Sequence, residues 1–143
     1  MELQFFNIKV KYLKQLEDQS IKKVSELYVL KAYSFTDAEA QITRELESTI
    51  PEFNITACNP FNIQDVRLDE SKDNFFKVKI AYEDTDIETG KIKKIIENYI
   101  IQGNEIWDIT NSVSQLLSGS IMDYTIENIQ LTKIKDVFYN INK

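Results

Sequence analysis

The sequence predicts an α+β fold built from two tandem strand-strand-helix-strand units. Three observations carry this. The chain matches itself: Phe5-Phe6-Asn7-Ile8-Lys9-Val10-Lys11-Tyr12 returns as Phe75-Phe76-Lys77-Val78-Lys79-Ile80-Ala81-Tyr82, Ile21-Lys22-Lys23 returns as Ile92-Lys93-Lys94, and Ile63-Gln64-Asp65-Val66 returns as Ile134-Lys135-Asp136-Val137. Over residues 21–66 the chain shifted by 71 agrees with itself at 12 of 46 positions, where composition alone would give roughly three. The repeated blocks also alternate apolar and polar residues, the period of a half-buried strand. One segment in each repeat changes to helical periodicity.

In the first strand Phe6, Ile8 and Val10 alternate with Phe5, Asn7, Lys9 and Lys11, and the copy sets Phe76, Val78 and Ile80 against Phe75, Lys77 and Lys79. The second strands, residues 21–31 and 91–101, are rich in β-branched and aromatic residues. Polar loops at 13–20 and 83–90 close the hairpins, the latter ending in Gly90. The first helix is expected to start at Thr36, with Thr36 as N-cap, Glu39 closing a capping box and Phe35 stapling onto Ala40. Ala38, Ile42 and Leu46 then line one face. In the second repeat Asp108 is the expected cap, and Ile109, Val113, Leu116 and Leu117 form the stripe. Pro51 and Gly119 follow the helices, where breakers belong. Third strands are expected at 53–66 and 124–139, with Asn59-Pro60 marking a bend or an edge position.

These elements divide the chain into a first repeat over residues 1–68, a connector at 69–73 and a second repeat over 74–143. A half of about 70 residues buries only a thin core. The expected body is therefore one compact domain with a shared core and approximate two-fold symmetry.

Composition excludes several classes. Hydrophobic content of 43% and charged content of 28% fit a globular protein, and only three Gly and two Pro argue against disorder. No run of 18 apolar residues is present, so no membrane-spanning helix is expected. Met1-Glu2-Leu3-Gln4 has neither the basic nor the apolar stretch of a signal peptide, so none is expected. The single cysteine, Cys58, allows no internal disulfide and no metal cluster. Its plainer reading is an inert packed thiol. A net charge of −6 disfavours a protein that coats duplex DNA by bulk electrostatics.

Catalytic signatures are missing. There is no histidine, hence no ready general base. Gly90, Gly103 and Gly119 lie too far apart for a phosphate loop. The acidic loop Glu83-Asp84-Thr85-Asp86-Ile87-Glu88-Thr89-Gly90 lacks the mid-loop glycine and terminal bidentate Glu of a calcium site, so it reads as a solvated hairpin tip. Glu26 and Glu97, flanked by Tyr28 and Tyr99, are equivalent by duplication. Acid/base chemistry needs two carboxyls in different environments. A non-enzymatic protein without cofactor or metal is the expectation.

The surface that stands out is the lysine side of the first strands. Phe5, Lys9 and Lys11 share one side, Phe75, Lys77 and Lys79 the matching side of the copy, and Lys22, Lys23, Lys93 and Lys94 lie on the neighbouring strands. Aromatics mixed with lysines on a sheet hold single strands, bases stacking on rings and phosphates meeting ammonium groups. Single-stranded DNA or RNA is thus the expected partner. The plainer account is that strand lysines block edge-to-edge aggregation and that Phe5 and Phe75 pack inward. Two other readings stay open. One is a protein-interaction or virion-structural module that self-associates into a homo-oligomer and is marked by an exposed apolar patch. The other is a sponge for a small anionic signalling molecule, with Trp107 and Tyr33 lining its pocket.

Two further stretches, Lys22-Lys23-Val24-Ser25-Glu26-Leu27-Tyr28-Val29 and Ala32-Tyr33-Ser34-Phe35-Thr36-Asp37-Ala38-Glu39-Ala40, follow the first strand. Together they resemble an uncharacterised domain family of gut bacteria and their tailed phages. The second repeat, ending in Ile134-Lys135-Asp136-Val137-Phe138-Tyr139, fits as well, so the resemblance covers nearly the whole chain. It brings no catalytic residues. It implies a phage or mobile-element setting in the cytoplasm. The second repeat departs from the pattern, reading Glu105-Ile106-Trp107-Asp108-Ile109-Thr110-Asn111 where the first has its Ser-Phe-Thr signature.

Overall fold

A computed structural model describes residues 2–120 and 122–139. Met1 and the tail at 140–143, which figured in the readings above, lie outside the described residues. The elements are β1 (Gln4–Gln15), β2 (Ile21–Ala32), α1 (Phe35–Leu46), β3 (Asn54–Pro60), β4 (Asp65–Arg67), β5 (Asn74–Thr85), β6 (Ile92–Gly103), α2 (Ile106–Leu116), β7 (Tyr124–Leu131) and β8 (Ile134–Phe138). The class is α+β, and the layout β1-β2-α1-β3 repeats as β5-β6-α2-β7.

The two hairpins share one register. Gln4 faces Ala32 and Gln15 faces Ile21 in the first, while Asn74 faces Gly103 and Thr85 faces Ile92 in the second. β5 therefore lies 70 residues after β1, and β6 lies 71 after β2. The extra residue sits in the second hairpin loop, which is why the self-match changes offset there. Gln19 and Gly90 are equivalent turn residues, both at φ 72. Glycine takes that left-handed conformation freely, whereas Gln19 does so at a steric cost.

The third strands differ from expectation. Each is broken in two: β3 stops at Pro60, which has no N–H to continue a ladder. Its continuation, β4, pairs in parallel with β6, while β8 pairs in parallel with β2. The sheet orders are β3-β1-β2-β8 and β4-β6-β5-β7. Among the described residues, one compact unit thus comprises residues 2–62 and 133–139, and the other lies within Ile63–Thr132. This replaces the boundary expected at 69–73. The reason is reach. β3 leaves its sheet beside Phe6, the end at which a strand parallel to β2 must finish. Returning to the start of that slot needs a crossover of about a dozen residues, and only residues 61–64 separate β3 from β4.

Each unit has its own cluster of buried side chains, where the sequence suggested a shared core. Phe6, Ile8, Val10, Tyr28 and Leu30 meet Ala38, Ile42 and Leu46 of α1 in the first unit. Phe76, Val78, Ile80, Tyr99 and Ile101 meet Ile109 and Val113 of α2 in the second, with Leu116 and Leu117 partly buried beside them.

The helix starts are displaced from their expected positions. Ser34, not Thr36, caps α1: its Oγ accepts from the Asp37 N–H at 3.1 Å, and the Asp37 carboxylate accepts from the Tyr33 N–H at 2.9 Å. Phe35 is then helical and meets the Phe6 ring edge-on at 5.3 Å instead of stapling onto Ala40. Glu105, not Asp108, is the N-cap of α2, and Asp108 reaches back to accept from the Asn104 and Glu105 N–H groups. An acid at the third helical position thus does the same work in both repeats.

The helices approach their sheets differently. A Cβ on Gly103 would lie 2.9 Å from Ile109 Cδ1 and 3.0 Å from Asp108 Cβ. The equivalent pair in the first repeat is Ala32 and Ala38, both fully buried. Small Ala38 leaves room for the Cβ that Ile109 denies. Gly103→Ala is therefore expected to destabilise by about 1–3 kcal/mol, and by clearly less in an Ile109→Ala background. Urea unfolding of the four proteins checks this, and equal costs in both backgrounds would contradict it. The strand exchange has its own test. Ending the chain at Thr132 removes β8, and amide exchange should then accelerate in β1 and β2 before β5 and β6; the opposite order would refute the pairing.

Candidate nucleic-acid interface

Register assigns the sheet faces. In the first unit α1 covers the row that holds Phe6, Ile8, Val10, Tyr28 and Leu30, so Glu26 and Lys22 belong to the helix side. The opposite face carries Phe5, Asn7, Lys9, Lys11 and Leu13 from β1, and Lys23, Ser25, Leu27, Val29 and Lys31 from β2. In the second unit Phe75, Lys77, Lys79 and Lys94 lie on the corresponding face, and Lys93 on the helix side. The ten expected contact residues are therefore split, with Lys22 and Lys93 separated from the rest by the sheet.

The aromatic half of the expected interface is corrected. Phe5 is 4% exposed and Phe75 2% exposed, so neither ring offers a face to a base. Phe5 stacks on Tyr139 at 5.7 Å between ring centroids, and Lys31 Nζ sits 5.0 Å from the Phe5 centroid. At this end of the hairpin both faces are covered: Phe5, Phe6, Val29 and Leu30 are all buried. Alternation along a strand cannot report a second covered face. The exposed rings sit elsewhere, with Tyr33 and Phe35 at the start of α1 and Trp107, 73% exposed, at the start of α2. No periodic signal in the sequence marks them as exposed.

The basic half is present in the first unit. Glu26 is the one carboxylate in β1, β2 and β3, and it lies on the helix side. Lys9, Lys11, Lys23 and Lys31 thus share a face with Asn, Ser and Thr side chains and no acid from these strands. Lys9 and Lys11 are exposed, and as alternate residues of one strand they stand roughly 6.8 Å apart. β1 and β3 slip register between Lys9 and Val10, where Thr56 is the extra residue. Its hydroxyl donates to the Lys9 carbonyl at 3.2 Å.

The second unit is different at the same place. β5 and β7 slip between Lys79 and Ile80, and the extra residue is Glu127. Its carboxylate lies 2.6 Å from Lys94 Nζ and 3.7 Å from Lys79 Nζ. The hydrogen bond from Lys94, helped by both ammonium charges, holds the Glu127 carboxyl below the usual range. Glu83 faces Lys94 across the hairpin. A shallow concavity of about 260 Å³ here is lined by Ala81, Glu83, Lys94, Asp123, Thr125 and Glu127.

On the helix side the Tyr-Glu pairs are alike. Tyr28 donates to Glu26 at 2.9 Å and Tyr99 to Glu97 at 3.1 Å. Burial first, then the neighbouring carboxylate, raises Tyr28; burial and a hydrogen bond with Tyr82 head the causes that raise Tyr99. Glu26 and Glu97 thus each accept from the tyrosine two residues further along the strand. Cys58 is half-buried against the first core, and burial raises its thiol.

The fold and face define a duplicated α+β protein with one lysine-lined sheet. The chain belongs to the domain of unknown function family DUF4494, whose model matches residues 4–140. No curated protein and no solved structure matches the chain.

The tyrosines set an alkaline limit. Their folded pKa values lie above the ordinary 10.0, so their contribution to stability is complete below that pH and is lost as pH rises above it. Tyr28→Phe and Tyr99→Phe should each flatten the fall in stability above pH 10, measured by urea unfolding; unchanged slopes would contradict the assignment.

Proposed function

We propose that this protein binds single-stranded nucleic acid without catalysis, through its first sheet. The observation that carries this reading is the face with Lys9, Lys11 and Lys23 and no carboxylate from β1, β2 or β3, in a chain of net charge −6. In so acidic a chain, an unopposed row of ammonium groups is a local field that favours an extended polyanion. The phosphates supply the affinity. Stacking on the sheet is not part of the reading, since Phe5 and Phe75 are buried. Affinity should therefore be tolerant of sequence and strongly dependent on salt. The family resemblance suggests a phage or mobile-element role in the cytoplasm.

A specific observation favours a second reading, a module that binds another protein. Tyr33 and Phe35 in one repeat, and Ile106 and Trp107 in the other, are exposed at the same place, the start of the helix.

Fluorescence anisotropy of a labelled strand of about 30 nucleotides, with duplex competitor and at two salt concentrations, decides between them. Preference for the single strand is expected, with affinity at least tenfold weaker in Lys9→Ala/Lys11→Ala and a salt slope shallower by about 1.4, two phosphates at roughly 0.7 each. No binding at low salt would remove the first reading and leave the second.

A further inference from the structure

We infer that the two equivalent sheet faces have specialised: the first takes the phosphate chain, and Glu127 excludes it from the second. This rests on the nucleic-acid reading for its ligand class, an extended polyanion.

Register makes the comparison residue by residue. Lys9 corresponds to Lys79, Lys23 to Lys94, Lys11 to Ala81, Leu13 to Glu83, and Thr56 to Glu127. Two lysines are kept. Lys11 and Lys31 are lost, at Ala81 and Gln102, one lysine is gained at Lys77 in place of Asn7, and two carboxylates are gained at Glu83 and Glu127. The decisive position is the bulge. A β-bulge re-aims the side chain of its extra residue, and in both sheets that side chain turns toward the lysine strand. In the first sheet Thr56 spends its hydroxyl on the Lys9 carbonyl, 3.2 Å away, and leaves the ammonium groups unopposed by a carboxylate from β1, β2 or β3. In the second, Glu127 lies within 3.7 Å of both Lys79 and Lys94. A phosphate approaching either lysine must displace or face this carboxylate, with Glu83 and Asp123 lining the same concavity. Lys77 is half-buried on this face. The same backbone device thus presents a neutral hydroxyl in one repeat and a counter-charge in the other. Glu127 is a specificity-determining residue, and duplication has left one polyanion face instead of two.

The test uses the full chain and four proteins: wild type, Lys9→Ala/Lys11→Ala, Lys79→Ala/Lys94→Ala and Glu127→Thr. Against the labelled strand, the first lysine pair should weaken binding at least tenfold and the second should stay within about twofold of wild type. Glu127→Thr should bind at least threefold more tightly, with a salt slope steeper by about 1.4 as two further phosphates are engaged. Equal losses from both lysine pairs, or a Glu127→Thr protein indistinguishable from wild type, would overturn the inference. Should wild type not bind the strand at all, the nucleic-acid reading falls, and inorganic tripolyphosphate followed by backbone amide shifts decides the specialisation separately. Shifts at Lys9, Lys11 and Lys23 in wild type, reaching Lys79 and Lys94 only in Glu127→Thr, uphold it. Any other pattern sinks it.

Discussion

A strand parallel to its neighbour must enter the sheet at the end opposite to the one its antiparallel predecessor leaves, and a short link cannot make that return. β3 and β7 both meet this limit. Each runs antiparallel to the first strand of its hairpin and exits beside Phe6 or Phe76. The next segment cannot fill the open edge of β2 or β6 in its own sheet, so it fills the other one. The composition of both units follows from this. The second repeat contributes Ile134 and Val137, both buried, to the first sheet, and the first contributes β4 to the second. Such pairing covers one edge of each hairpin, which would otherwise present unpaired backbone groups.

The hairpins carry the rest of the design. Their twelve-residue strands pair over their full length in the same register. That register sends one row of side chains under the helix and the other to the opposite face. The bulge beside Val10 and Ile80 then inserts one residue on the third strand. This residue is the least constrained by pairing, because a bulge leaves it outside the ladder. Thr56 and Glu127 occupy it, and they differ in the one property that matters for an anion, charge. Divergence at this site leaves both cores intact, since Ile55 and Ile126 beside it keep their contacts with the helix side.

Net charge is a poor guide to such a surface. The chain is acidic overall, yet β1 and β3 contain no carboxylate. In the first repeat its acids lie mostly in loops and in α1. Within a Debye length of roughly 8–10 Å, the local arrangement governs an approaching ligand more than the total.

The α+β class, the duplication, the helix stripes and the edge position of Pro60 were all legible in the sequence, because each rests on local periodicity or on a residue's own covalent limits. Ala38, Ile42 and Leu46 are buried as their spacing requires. The sequence also marked the lysine row of β1, whose alternation is a local property. The other features arise from contacts between distant segments. That β4 and β8 change sheets depends on reach between strand ends, which no window of sequence encodes. That Phe5 and Phe75 are buried depends on a second covered face at one end of each hairpin, whereas alternation reports which residues share a face and not whether that face meets water. That Glu127 reaches Lys79 and Lys94 depends on a bulge that joins residues 33 to 48 positions apart in the chain. Local rules fix which way a side chain points; what it meets there is set by contacts between distant segments.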